Sequence, residues 1–143
     1  MSIIDYMKIL IIAFIAHFIA DFLLQSRQMG KEKSEKFPVL IVHVGTQIIV
    51  MYIGLLFVLS GSVAATIAVL NGIVHGIIDW NIWKGYKWTV KKWLKNNPDH
   101  VDTINFKEIG VWKYWDDHVF YSTIGLDQLL HTLTIVILIG WLV

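Results

Sequence analysis

Four long apolar stretches, three of them carrying a histidine and an aspartate four residues apart, constrain this chain more than any other feature. The pairs are His17 with Asp21, His75 with Asp79, and Asp127 with His131. Four residues bring a helix back to the same face, so each pair presents an imidazole beside a carboxylate. Ionisable groups are costly in hydrocarbon, and three such pairs on membrane helices call for a polar partner in the interior, for which a metal ion is the natural candidate.

The apolar runs cover about residues Tyr6 to Leu24, Val39 to Leu59, Val63 to Ile82 and Ile124 to Val143, each long enough to cross a bilayer. Between the first two lies a charged loop with Arg27, Lys31, Glu32, Lys33, Glu35 and Lys36, after which Pro38 is placed for the first turn of a helix. Ser60-Gly61-Ser62 is so short a turn that the second and third spans must be adjacent and antiparallel. In Trp83 to Lys95, Trp83, Tyr86, Val90 and Trp93 or Leu94 share a stripe while five lysines lie mostly elsewhere, the pattern of an interfacial amphipathic helix. Asn96-Asn97-Pro98-Asp99 would end it, and a short helix over Phe106 to Trp115 would follow. The N-terminus lacks the positive region of a cleavable signal peptide, so the first run reads as a retained helix.

The expected architecture is therefore an all-α integral membrane protein. Four transmembrane helices form an antiparallel bundle in a single membrane domain, 1–143, with a cytoplasmic or interfacial insertion at 83–120 between the third and fourth spans. Of 12 basic residues, four fall in the first loop and seven in the large one; Lys8 alone lies elsewhere. Four spans put both loops on one side, and the positive-inside rule makes that side the cytoplasm, with both termini outside, as in a bacterial inner membrane. The formal charge of +1 gives no reason to expect a nucleic-acid partner, and the absence of cysteine removes disulfides, thiolate nucleophiles and sulfur ligands.

With that orientation His17, Asp21, His43, His75, Asp79, Asp127 and His131 all fall at one depth toward the cytoplasmic side. Four histidines and three aspartates suffice for one six-coordinate divalent ion or for two ions sharing a carboxylate; zinc suits these donors, as do manganese, iron or magnesium. Asp79 or Asp127 is placed to act as the catalytic base. Gln25 and Gln128 would orient ligands from behind, and Lys31 and Lys33 would reach a phosphate at the interface. His100 and His118 lie outside the spans and read as surface histidines. Gly72 and Gly76 make a small-x-x-x-small surface that admits a close neighbouring helix.

His17-x-x-x-Asp21-Phe22-x-Leu24-Gln25, a lysine in the loop, His43, His75-x-x-x-Asp79 and Asp127-Gln128-x-x-His131 together resemble the small bacterial and phage membrane proteins grouped as DUF3307, over nearly the whole chain. The chain departs from the pattern after Asp79, where Trp80-Asn81 stand in place of an apolar or aromatic residue followed by lysine, Lys84 being the nearest base. A looser likeness to membrane-bound metal-dependent hydrolases implies a metal-dependent hydrolase, and the depth of these residues near the cytoplasmic interface suits a lipid-linked phosphate or ester as its substrate. Two other functions fit the same residues. One is a non-enzymatic adaptor with a His-Asp network, meeting a protein partner or a second copy through its tryptophan-rich cytoplasmic loop; the other is a cation or proton transporter.

Overall fold

The computed structural model describes residues 2–96 and 118–143. The expected helix over Phe106 to Trp115, the stop at Asn97-Pro98-Asp99 and His100 lie outside the described residues. Those described form helices and turns, with no strand among them: α1 at Ile3–Phe18, a π-helical turn at Ile19–Leu23, α2 at Arg27–Glu32, α3 at Phe37–Leu55, α4 at Gly61–Asn96 and α5 at His118–Leu142. Four segments, Ile3–Leu23, Phe37–Leu55, Gly61–Trp93 and His118–Leu142, are long and apolar enough to cross a membrane.

Local chemistry sets the helix starts. The Ser2 hydroxyl accepts from the Asp5 amide, the Ser26 hydroxyl accepts from the Met29 amide, and Pro38 occupies the first turn of α3, where a missing N–H costs nothing. Three elements differ from their expected bounds. The first span ends in a π turn, with the Leu24 amide bonded to Ile19 O at 2.9 Å. The last helix begins at His118, six residues before Ile124. Most notably, α4 runs without a break through Trp83, so the third span and the amphipathic segment are one 36-residue helix. Nothing between Ile82 and Lys95 stops a helix: Gly85 is a lone glycine, and the next proline is at position 98. Trp83 and Tyr86 are buried and pack on Phe120 of α5, with ring centroids 6.0 and 5.9 Å from it.

Contacts between helices run in opposite residue order. Against α1, Gly54 of α3 meets Ile12 and Ala16, while Gln47 meets His17. Against α4, Tyr52 meets Gly61, Ile48 meets Gly72 and His43 meets His75. The glycines permit the close approach of α3 and α4: a Cβ on Gly72 would run into Ile48, and one on Gly76 would meet Val44 Cγ2 at 2.9 Å. The interior divides in two. Ile9, Ala13, Met51, Leu55, Ile67, Ile135 and Ile139 fill one half with apolar side chains. The other half, toward α2, is polar.

Candidate metal centre

The polar half is built from inward positions one turn apart. α1 supplies His17 and the π turn Asp21; α3 supplies His43 and Gln47; α4 supplies Asn71, His75 and Asp79; α5 supplies Asp127 and His131. Each of these side chains is buried, His43, Gln47 and Asp79 completely. The i,i+4 pairs meet as the helical repeat requires, His75 Nε2 lying 3.1 Å from Asp79 Oδ2 and His131 Nε2 lying 3.6 Å from Asp127 Oδ1. His17 and Asp21 are looser, at 3.9 Å. The π turn carries Asp21, whose Oδ1 lies against His43 of α3 and His75 of α4, in keeping with the tendency of such turns to occur at functional sites.

Four side chains from three helical segments converge most tightly. His43 Nε2 is 3.0 Å from His75 Nε2, 3.2 Å from Asp21 Oδ1 and 3.1 Å from Asp79 Oδ2. One donor atom from each of Asp21, His43, His75 and Asp79 lies within 4.8 Å of all the others, and Asp21, Asp127 and His131 form a second such group. Asp21 belongs to both. Gln128 bridges its two neighbours, donating to Asp21 Oδ2 at 3.1 Å and to Asp127 Oδ2 at 3.2 Å.

These separations suit ligand atoms of one ion as well as hydrogen-bond partners. Atoms about 2.1 Å from one ion stand about 3.0 Å apart at right angles and about 3.4 Å apart in a tetrahedron, and the contacts around His43 fall between those values. A proton on one imidazole can serve a single acceptor. Asp21 Oδ1, both oxygens of Asp79, Asp127 Oδ1 and His131 Nε2 are buried without an aligned hydrogen bond among the described residues. Positive charge among them, from an ammonium, an imidazolium or a metal ion, would satisfy these lone pairs. The donor set, imidazole nitrogen with carboxylate oxygen, could hold a divalent ion.

One cation is already there. Lys33, the residue that follows α2, is buried with its Nζ 2.8 Å from Asp79 Oδ1, 3.6 Å from Asp21 Oδ1 and 3.3 Å from His43 Nε2. Burial by itself favours the neutral amine, but the Asp79 and Asp21 carboxylates outweigh it and raise the lysine's pKa above its ordinary value. Lys33 was expected to reach outward to a phosphate; the connection instead turns it inward.

The remaining expected residues are more peripheral. His17 enters neither ligand group, although its ring lies 5.2 Å from that of His131. Gln25 is half-buried beside Gly30, where a Cβ would meet its Nε2 at 3.3 Å. Lys31 lines a shallow depression with Arg27, Gln28 and Glu32. His118 is exposed at the start of α5, its Nδ1 3.4 Å from Ser122 Oγ. Gln47 is a site residue that the sequence reading overlooked: its Nε2 lies 2.6 Å from His17 Nδ1, across two helices. Its position, four residues after His43, was the available signal.

An apolar groove of about 440 Å³ runs along α3 and α4, lined by Leu40, Ile41, Val44, Ile73, Ile77 and Trp80 among others. It shares these two helices with the polar cluster but none of its side chains. Lys84 stands at the Trp80 end, its Nζ 3.4 Å from the centre of the indole ring.

No curated protein and no solved structure matches the chain. The family described as Protein of unknown function (DUF3307) matches residues 9–143, nearly the whole length, and the chain belongs to that family.

Proposed function

We propose that this protein is a metal-dependent hydrolase of the bacterial inner membrane, acting near the cytoplasmic face on a lipid-linked phosphate or ester. The observation that carries the reading is the convergence of Asp21, His43, His75 and Asp79 within 4.8 Å, beside a second group sharing Asp21. In this reading the four spans form an antiparallel bundle, both termini lie outside, and the basic connections face the cytoplasm.

Bound at these residues, a divalent cation supplies Lewis acidity, polarising a phosphoryl or acyl oxygen and acidifying water. The protein's own groups do the rest. Asp21, His43, His75 and Asp79 would hold a first ion, and Asp21, Asp127 and His131 a second. Asp127, a member of the second group, would take the proton from the attacking water, with Asp79 the other candidate base. His17, outside both groups, would hydrogen-bond the departing oxygen, which takes the proton that the base has removed from water. Gln128 fixes the relative orientation of the Asp21 and Asp127 carboxylates. An acyl or isoprenoid tail fits the groove on α3 and α4, with Lys84 beside the anionic head.

A purely structural network, in an adaptor rather than an enzyme, is supported by one observation: the Lys33 ammonium already sits on Asp79 and Asp21. Transport finds less support, since Met51, Leu55, Ile67, Ile135 and Ile139 close the other half of the interior. Elemental analysis of detergent-purified protein separates these readings. The hydrolase predicts stoichiometric metal in the wild type. Asp79→Asn should weaken binding by more than the roughly 10- to 100-fold that loss of an outer partner costs. Equal metal content in the two proteins would count against the site, and no metal in either would favour the adaptor.

A further inference from the structure

Lysine is rarely buried without a function for its charge, and Lys33 is 4% exposed. Its Nζ contacts three of the four residues in the tighter ligand group, at 2.8, 3.3 and 3.6 Å. An ammonium has three protons and no lone pair, so it consumes the lone pairs an ion needs without being able to ligate that ion. A divalent cation on the same carboxylates would repel it across a short, poorly screened distance.

We infer that Lys33 and a divalent metal ion exchange at Asp21 and Asp79, the ammonium holding the two carboxylates until metal displaces it. The inference rests on the metal site proposed above and adds a mode of control to it. The architecture allows the exchange without moving a span. Lys33 is carried by the short connection between Leu24 and Lys36 rather than by a membrane helix, and its four-carbon stem reorients by rotation about single bonds. The backbone on either side is tied down independently. Lys87 of α4 donates to Glu35 Oε1 at 2.6 Å and to Ser34 Oγ at 3.3 Å, and Lys36 donates to Glu32 Oε1 at 2.7 Å. A displaced ammonium stays beside the loaded site, where it favours an anionic substrate over a neutral one.

Two measurements on the detergent-purified full chain at fixed pH test the exchange. Brief acetylation followed by mass spectrometry reads the accessibility of each lysine, with Lys8 at the far end of α1 as the reference. With a chelator present, Lys33 should react at least about tenfold more slowly than Lys8; Zn2+ or Mn2+ should raise its reactivity several-fold and leave Lys8 unchanged. Independently, Lys33→Met, which keeps the length and removes the competing charge, should bind the same ion about tenfold more tightly than wild type. If metal binds while Lys33 stays protected, or if Lys33→Met binds no more tightly, the exchange is wrong and the metal site survives it. If neither protein binds either ion, both fall together. The acetylation arm uses wild-type protein and so holds even where Lys33→Met fails to fold.

Discussion

At the scale of single residues, the strongest positional signal in the sequence is a charge where charge is costly. His17, Asp21, His43, His75, Asp79, Asp127 and His131 stand out because ionisable groups in apolar runs need partners, and all seven are buried in one polar cluster. The uncharged Gln47 carries no such flag, yet it is as deeply buried as His43. Its amide and His17 Nδ1 form a hydrogen bond across α1 and α3 at 2.6 Å. Removing one partner strands the other in an apolar setting, whereas replacing both leaves nothing unsatisfied. Gln47→Leu and His17→Leu should therefore each destabilise the bundle, while the double variant loses less than their sum. Interhelical hydrogen bonds in membrane proteins average about 0.6 kcal/mol and reach about 1.7 kcal/mol, which sets the coupling expected from unfolding in detergent. Strict additivity would show that the two side chains do not act as a pair. Lys33 was harder to place from sequence. It lies among Lys31, Glu32, Glu35 and Lys36 in a stretch with no apolar periodicity, and only the folded path of the connection turns one of those lysines inward.

At the scale of elements, what the sequence conveys is existence, and what it obscures is continuity. All four apolar runs are helices, because each holds helix-compatible residues over more than enough length. The change of composition at Trp83, from apolar to tryptophan and lysine, reads as a boundary but is only a change of surroundings along one helix. At 1.5 Å per residue, 36 residues span roughly 54 Å against a hydrocarbon core of about 30 Å, so part of α4 must stand clear of it. The π turn at Ile19–Leu23 has no counterpart in the local sequence; one widened turn is decided by where Asp21 must point, which is a tertiary matter. Small residues, in contrast, were legible. Gly72 and Gly76 face Ile48 and Val44 of α3, the neighbour that their spacing implies. Ile48 is β-branched and has little rotational freedom to yield. Gly72→Leu should accordingly lower stability by about 1–3 kcal/mol, measured by unfolding in detergent, because the added side chain forces α3 and α4 apart. The same substitution at Gly85, where a Cβ would meet nothing within 4 Å, should cost far less. Helix propensity favours leucine at both positions, so equal losses at the two sites would rule out the α3 to α4 contact as the cause.

For the whole molecule, the division of the interior and the distribution of surface charge point the same way. The apolar half contains Ile9, Leu55 and Ile139, residues near the termini and the turn between α3 and α4, and the polar half lies against the basic connection that carries Lys33. If all four apolar helices cross the membrane, Ser2, Ser60 and Val143 share one side and the two basic connections the other. In the proposed orientation the basic side is cytoplasmic, because lysines and arginines are seldom carried outward across the membrane. That orientation would put the cluster within reach of a cytoplasmic metal pool and a membrane-bound headgroup, as the proposed function requires. The chain has no cysteine, so single introduced thiols report sidedness without background. Ser2, Gln28, Ser60 and Lys92 are all exposed, which makes substitution there tolerable. In intact cells, an impermeant maleimide should label Ser2→Cys and Ser60→Cys, and should label Gln28→Cys and Lys92→Cys only after the membrane is opened. The reverse pattern would keep the bundle and invert its orientation, moving the site away from cytoplasmic metal. Labelling that split Gln28→Cys from Lys92→Cys would be more damaging, since it requires an odd number of crossings between them and would separate the Lys33 connection from the Lys87 that anchors it.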